Sequence, residues 1–516
     1  VAAGFDVIVV GGGHNGLVAA AYLGRAGMRV RLLERLEQVG GAAVSARVFE
    51  GVDARLSRYA YLVSLLPQRI LDDLGARVQL ARRPYSSYTP DPATAGRTGL
   101  LIDTHPAAQP RGFADFYRRC RAVTGPLWPT LLEPLLTRSQ ARHRVVSGGG
   151  PDAVAAWRSI VDEPIGNAIT DAVHDELTRG VIATDALIGT FAALDDPGLT
   201  QNVCFLYHLL GQGSGEWHVP VGGMGSVTAA LATAAADAGV EIVGGAEVFA
   251  VQSDGQVAYR HRGEQCVVTG RLVLAGVTPT VLADLLGEPP PPSAPGAQVK
   301  VNMLVRRLPE LRDDSVTPEQ AFSGTMHVNE TWTQLQEAYS AAAAGRLPDP
   351  LPCEIYCHTL TDPSILSADL RGAGAHTLTL FGLHTPHSLC AGADGDAVRA
   401  RMTDSALSSL NSILAEPIND LLLPDGRGGR CIETKTTLDL ERALMMTGGN
   451  IFHGGLTWPF AEDDETLATP AQRWGVASAH ERILLCGSGA RRGGAVSGIG
   501  GHNAAMAAIT MLESAT

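Results

Sequence analysis

The stretch "FDVIVVGGGHNGLVAAAYLGRAGMRVRLLERLEQVGG", residues 5 to 41, constrains the fold more than any other part of the chain. Phe5 to Val10 is mostly β-branched and ends at Gly11, so it reads as a buried parallel strand. Gly11, Gly13 and Gly16 form G-x-G-x-x-G at the joint with a helix expected from about Asn15 to Ala26, which Gly27 stops. The first glycine permits the tight turn, the second lets a pyrophosphate approach the backbone, and the third lets helix and strand pack closely. Phosphate would lie on the free N–H groups at the helix start, beside His14 and Asn15. A second strand, "MRVRLLE", ends at Glu34, eighteen residues past Gly16, where a carboxylate can accept hydrogen bonds from both ribose hydroxyls of an adenosine. A lone glycine triplet is a loop. Strand, triplet, helix, strand and terminal Glu in one unit specify a dinucleotide site in an α/β, Rossmann-like domain.

Gly40 and Gly41, six and seven residues past Glu34, have no obvious task in an NAD site. The layout resembles the dinucleotide-binding signature of the FAD-dependent amine oxidase and phytoene desaturase superfamily. There the glycine pair brings backbone close to the flavin side of the pyrophosphate. The resemblance implies FAD, with Arg35 and Ala42 joining Gly11, Gly13, His14, Asn15, Gly16, Glu34, Gly40 and Gly41 as its contacts.

Two later segments extend the likeness. In residues 215 to 276, a glycine turn "GGMG" precedes a helix from about Ser226 to Asp237, a strand near Val240 to Val243, and a β-meander ending in "RLVLAG". "GGMG" reads as a helix-starting turn, because "EWHVP" is no buried strand and Thr228 takes the place of a third glycine. By resemblance, Val248 offers backbone to the adenine. In residues 481 to 512, "RILLCG" is a buried strand and "HNAAMAAITML" a helix whose first turn lies near "SGIG". Superfamily members set such a helix start against the flavin pyrimidine, which implies Val496, Ser497, Gly498 and Ile499 there. Its free N–H groups and dipole would stabilise the charge of reduced flavin. Gly487 and Ser488 stand where most members have Gly-Asp, so the ribityl contact falls to a weaker serine hydroxyl.

At 516 residues the chain exceeds one ordinary core, and two interleaved domains are expected. Residues 1–75, 215–290 and 470–516 would form the Rossmann-like FAD-binding domain; residues 76–214 and 291–469 would form an α+β substrate domain. In the latter, "QVKVNMLVRRL", "CEIYCHTL" and "HTLTLFGLH" read as strands of a sheet roofing the flavin, and the first excursion as several helices. A net charge of −13 argues against a nucleic-acid partner. No apolar run reaches the length of about eighteen residues that spans a bilayer. The opening residues have no basic flank or h-region, so a cytoplasmic location is the expectation. The eight cysteines are scattered and read as reduced thiols.

"SRYAYLVSLLPQ", "LYHLLGQGSGEWHVPVGGMG", "GGNIFHGGLTW" and "GGAVSGIGGHNAA" resemble the phytoene-desaturase-like proteins called pyridine nucleotide-disulphide oxidoreductase domain proteins, relatives of retinol saturase. The likeness implies an FAD-dependent oxidoreductase, dehydrogenase or isomerase in type, acting on a C–C bond of an apolar isoprenoid-like or acyl substrate. A flavin amine oxidase is the enzymatic alternative, and a catalytically silent FAD-binding interaction protein the other. Because flavin can accept hydride itself, the protein need add only positioning and one acid or base. His453, His208, Tyr207 and His502 are the candidates. His358, His376, His384 and His387 lack acidic or cysteine companions, so no metal is expected. FAD is expected to bind noncovalently, since no Cys or His has a motif placing it at the flavin methyl. An apolar pocket without a second nucleotide module implies oxygen or a quinone as acceptor. Leu127 to Leu136 carries a leucine stripe that reads as core, or alternatively as a lipid-facing access for substrate through peripheral membrane contact.

Overall fold

The computed structural model describes residues 4–105, 109–213, 215–392 and 394–514. Phe5–Val10 lies in the middle of a parallel layer whose strands come from distant parts of the chain. On one side stand Val30–Leu33 and then Glu241–Val243; on the other, the end of Glu264–Ala275 and then Ile483–Leu485. The start of Glu264–Ala275 bends away to pair antiparallel with Gln256–His261, which pairs with Ala246–Val251, giving the expected meander. The helix His14–Arg25 packs against Met224–Asp237 and against Ile499–Glu513. Glycines set these spacings: a Cβ on Gly16 would come 2.1 Å from the Gly11 carbonyl oxygen, and one on Gly501 2.0 Å from that of Asn15.

A second, seven-stranded sheet follows the order Ile432–Lys435, Val299–Val305, His376–Gly382, Cys353–Tyr356, Thr325–Val328, Tyr85–Pro90, Gly99–Asp103. The three strands expected from the second excursion are present, although the one beginning at Cys353 stops at Tyr356 and His358–Thr361 is helical. Two further strands come from the first excursion, ahead of its helices. Side chains alternate across a strand. Val299, Val301, Met303, Met326, Val328, Cys353, Ile355, Leu378 and Leu380 therefore share one apolar core. The opposite face presents Lys300, His327, Glu354, Tyr356 and Phe381 to a cavity.

The leucine stripe is core. The helix Arg111–Leu127 ends where a 3₁₀ turn, Trp128–Leu132, begins, and Leu127, Leu131, Leu132 and Leu135 are all buried. The C-terminal segment seals them: Asn503 Nδ2 donates to the Leu131 carbonyl at 3.1 Å, and Arg492 donates to those of Thr130 and Glu133 at 2.8 Å. A lipid-facing access there is overturned. Among the described residues no helix is long and apolar enough to cross a membrane.

Candidate active site

One cavity of about 1020 Å³ runs from the glycine turn of the parallel sheet to the roof sheet. At its first end Glu34, 9% exposed, accepts hydrogen bonds from Gly12 N at 2.7 Å and Leu36 N at 2.9 Å, which fixes the carboxylate at the strand end. Gly11, Gly13, His14, Asn15, Gly16, Arg35, Gly41, Ala42 and Val248 line the cavity with it. A Cβ on Gly13 would meet nothing within 4 Å, so the cradle is open where a pyrophosphate would lie. No side chain caps the helix start at Gly13, which leaves its N–H groups for an anion. These features fit an adenosine dinucleotide.

Gly40 stands one layer back. Its N–H donates to the Gly12 carbonyl at 2.8 Å, and its φ of 129° lies in the region that favours glycine, so it braces the turn without lining the cavity. The C-terminal segment clasps the same turn: His14 Nε2 lies 3.0 Å from the Ala495 carbonyl oxygen, and Asn15 Nδ2 donates to that of Gly493 at 3.3 Å. Gly487, Ser488 and Val496 line the cavity. Ser497, Gly498 and Ile499 do not: they turn inward, Ser497 Oγ accepting from Ile499 N at 3.2 Å and a Gly498 Cβ pointing at Val18 and Ile70. The lining backbone of this segment is thus Gly494 to Val496, just ahead of the expected turn.

Of the catalytic candidates, His453, Tyr207 and His208 line the cavity and His502 does not. His502 is packed between Tyr22 and Trp474, with ring centroids 5.1 and 5.9 Å away, and pairs with Asn503; its role is structural. His208 leans on Trp217 at 4.9 Å, and burial lowers its pKa to about 4. His453 has a φ of 63° and a buried Nδ1 without a partner; burial, then His14, lowers its pKa to about 4. Both imidazoles are neutral at physiological pH, able to accept or donate one hydrogen bond but poor proton stores.

The roof holds polar chemistry that sequence reasoning missed, set in a cavity whose lining is mainly apolar. Lys300 Nζ donates to the Ser57 carbonyl at 2.6 Å and stands 5.0 Å from the Tyr61 ring centroid; burial lowers its pKa to about 7. Tyr61 packs against Tyr356 at 4.7 Å and Phe381 at 6.2 Å. Tyr356 donates to Glu354, whose pKa burial raises to about 7. Tyr117 donates to Asp185 at 2.7 Å, and burial raises that carboxyl to about 6. His327 Nδ1 lies 2.6 Å from Glu330 Oε2. The signal was in the sequence as alternation, "VKVNM", "MHV" and "CEIY", where a polar residue takes every second place of an otherwise core-forming strand. The other histidines do not converge: His358 pairs with Asp362, His376 with Thr359, His387 with Thr437, and His384 packs on Phe191 and Tyr339.

A Rossmann-like parallel sheet, a roof sheet bearing ionisable groups and a cavity between them give the architecture of a dinucleotide-dependent oxidoreductase. Residues 9–69 match the family model of an NAD(P)-binding Rossmann-like domain. The chain is 68% identical to an uncharacterized protein of Mycobacterium tuberculosis, over 99% of this chain and 98% of that one. It is 31% identical to pyridine nucleotide-disulfide oxidoreductase domain-containing protein 2 of Mus musculus, over 97% of this chain and 92% of the relative. The chain belongs to that family. Among solved structures, a putrescine oxidase shares the fold at 17% identity with a TM-score of 0.59, covering 99% of both chains. Cyclohexylamine oxidase from Brevibacterium oxydans does so at 14% and 0.57, covering 99% of this chain and 100% of that one.

Proposed function

We propose that the chain binds FAD noncovalently and uses it to dehydrogenate or isomerise a C–C bond in a small isoprenoid-like or acyl substrate that carries one polar group. The observation that supports this reading is that one cavity is lined by the glycine turn and Glu34 at one end and by Lys300, Glu354 and Tyr61 at the roof. Bound FAD supplies a hydride acceptor. Glu34 and the open turn at Gly13 hold the adenosine diphosphate, and the backbone of Gly494 to Val496 supports the cofactor's other end. Tyr61 and Phe381 offer apolar surface to the substrate body and exclude water from it. Lys300 Nζ, near neutrality in its proton affinity, accepts or returns a proton beside it.

Amine oxidation is a second reading. It is favoured by the Tyr61–Tyr356 pair beside Glu354, where a cationic nitrogen would find aromatic faces and a carboxylate. The two structural neighbours named above are a putrescine oxidase and a cyclohexylamine oxidase. Anaerobic mixing of the purified protein with polyenes, acyl compounds and amines separates the readings. Loss of the flavin's visible absorbance with the first two classes supports the proposal, bleaching by amines alone supports the second, and full FAD content without bleaching supports a silent binding protein. The electron acceptor is proposed to be oxygen or a quinone. That rests on the sequence having no second complete strand, G-x-G-x-x-G and helix past Glu34, so NADH and NADPH should leave the absorbance unchanged over minutes.

A further inference from the structure

We propose that His327, Glu330 and Glu354 form a binding site for one divalent transition-metal ion that opens on the cavity. His327 and Glu354 face each other across the antiparallel pair Thr325–Val328 and Cys353–Tyr356, in direct register, so their side chains leave the same face of the sheet. Asn329, with a φ of 57°, turns the chain back and delivers Glu330 to the same point. One donor atom from each residue lies within 4.8 Å of the other two. All three side chains are shut away from solvent, at 5%, 0% and 5% exposure.

Two carboxyl groups and one imidazole are thus buried together, and Asp185 lines the same cavity. Arg83, half-buried on the same cavity, directs Nη1 to Thr325 Oγ1 at 3.0 Å and exerts its charge on Glu354 and His327. The independent sign is Glu330: its Oε1 is fully buried with no hydrogen-bond donor, a condition native interiors rarely leave uncompensated. An ion with bonds of about 2.0–2.2 Å in tetrahedral geometry sets its donors roughly 3.3–3.6 Å apart. His327 Nδ1 lies 3.8 Å from Glu354 Oε1, near that range, and its 2.6 Å hydrogen bond to Glu330 Oε2 would lengthen as an ion replaces the shared proton. Mixed imidazole and carboxylate donors suit Zn²⁺ or Mn²⁺. Three protein ligands leave a coordination position free, and because His327 and Glu354 line the cavity, that position would take an oxygen of water or of a bound carbonyl, carboxylate or hydroxyl group. The site uses protein groups alone, so its failure would leave the FAD reading standing.

The test is calorimetric titration of chelator-treated holoprotein with Zn²⁺ and Mn²⁺, alongside Glu330→Gln and His327→Gln, with FAD content as the control for folding. One ion per chain is expected, bound at least about 10–100-fold more weakly by each variant. No saturable binding in the wild type, or equal binding in both variants, overturns the proposal. Should the variants fail to fold, pulsed electron paramagnetic resonance of Mn²⁺-loaded wild type decides: coupling to one imidazole nitrogen supports the site, and its absence overturns it.

Discussion

Glu34 shows how one residue serves both fold and ligand. Its two oxygens hold Gly12 N and Leu36 N, yet each keeps a lone pair for ribose. Glu34→Ala should therefore weaken FAD binding by a few kcal/mol, at about 1.5–3 for each charge-assisted bond lost. Titration of the apoprotein with FAD would show it; an unchanged affinity would remove Glu34 from the site. This residue was legible because its position relative to the glycines is local in sequence. Glu354 and His327 were not, since only strand pairing brings them together. His384 gives a pH test outside the cavity. Burial lowers its pKa to about 4, so between that value and the ordinary 6.5 the unfolded chain binds the extra proton and stability falls as pH falls. The full window is worth about 3 kcal/mol. His384→Asn, which tolerates the φ of 51°, should narrow the stability gap to wild type by about that amount between neutrality and pH 4 in urea unfolding. A constant gap would show that His384 protonates freely in the folded state.

Among the elements, the strand–turn–helix and the closing helix were readable because each carries its own pattern: a β-branched run, a glycine joint and an apolar helical face. The helix observed at His14–Arg25 lies within one residue of the expected ends. The roof strands of the first excursion were missed, since "YSSYTP" carries no alternation, although one of its partners, Gly99–Asp103, is close in sequence and only the other, Thr325–Val328, is distant. The leucine stripe was ambiguous because a buried face and a lipid face look alike in sequence; its partner, the C-terminal helix, made it core. Helix contact itself is testable. Gly501→Ala puts a methyl 2.0 Å from the Asn15 carbonyl oxygen, and should cost about 1–3 kcal/mol and reduce FAD affinity by shifting the helix start. Gly27→Asn, at a φ of 80° with open space around it, should change neither. Equal effects of the two in thermal unfolding and FAD titration would contradict the packing account. Aspartate at Leu131 should unfold the chain, seen as loss of cooperative melting.

At the scale of the whole molecule, the fold places two unlike faces on one cavity: a glycine turn made for backbone approach, and a sheet face that spends core positions on Lys300, His327 and Glu354. The first was visible in the opening residues of the chain. The second required the register of strands not joined by a tight turn, His327 opposite Glu354 and Lys300 opposite Phe381, which single-strand patterns do not carry. Burial of the roof's ionisable groups is stabilising for nothing by itself, and its cost is the mark of a working site. FAD is proposed to lie in this cavity with its pyrophosphate on the turn. Gly13 tests it most directly, because its φ of −67° suits any residue and its Cβ would enter open space, so Gly13→Val should fold normally while filling the pyrophosphate's place. Acid precipitation of wild type should release one equivalent of FAD and leave a colourless pellet; the variant, melting as the wild-type apoprotein does, should release none. FMN or no flavin from wild type, flavin held in the pellet, or a full equivalent of FAD from the variant would contradict the account.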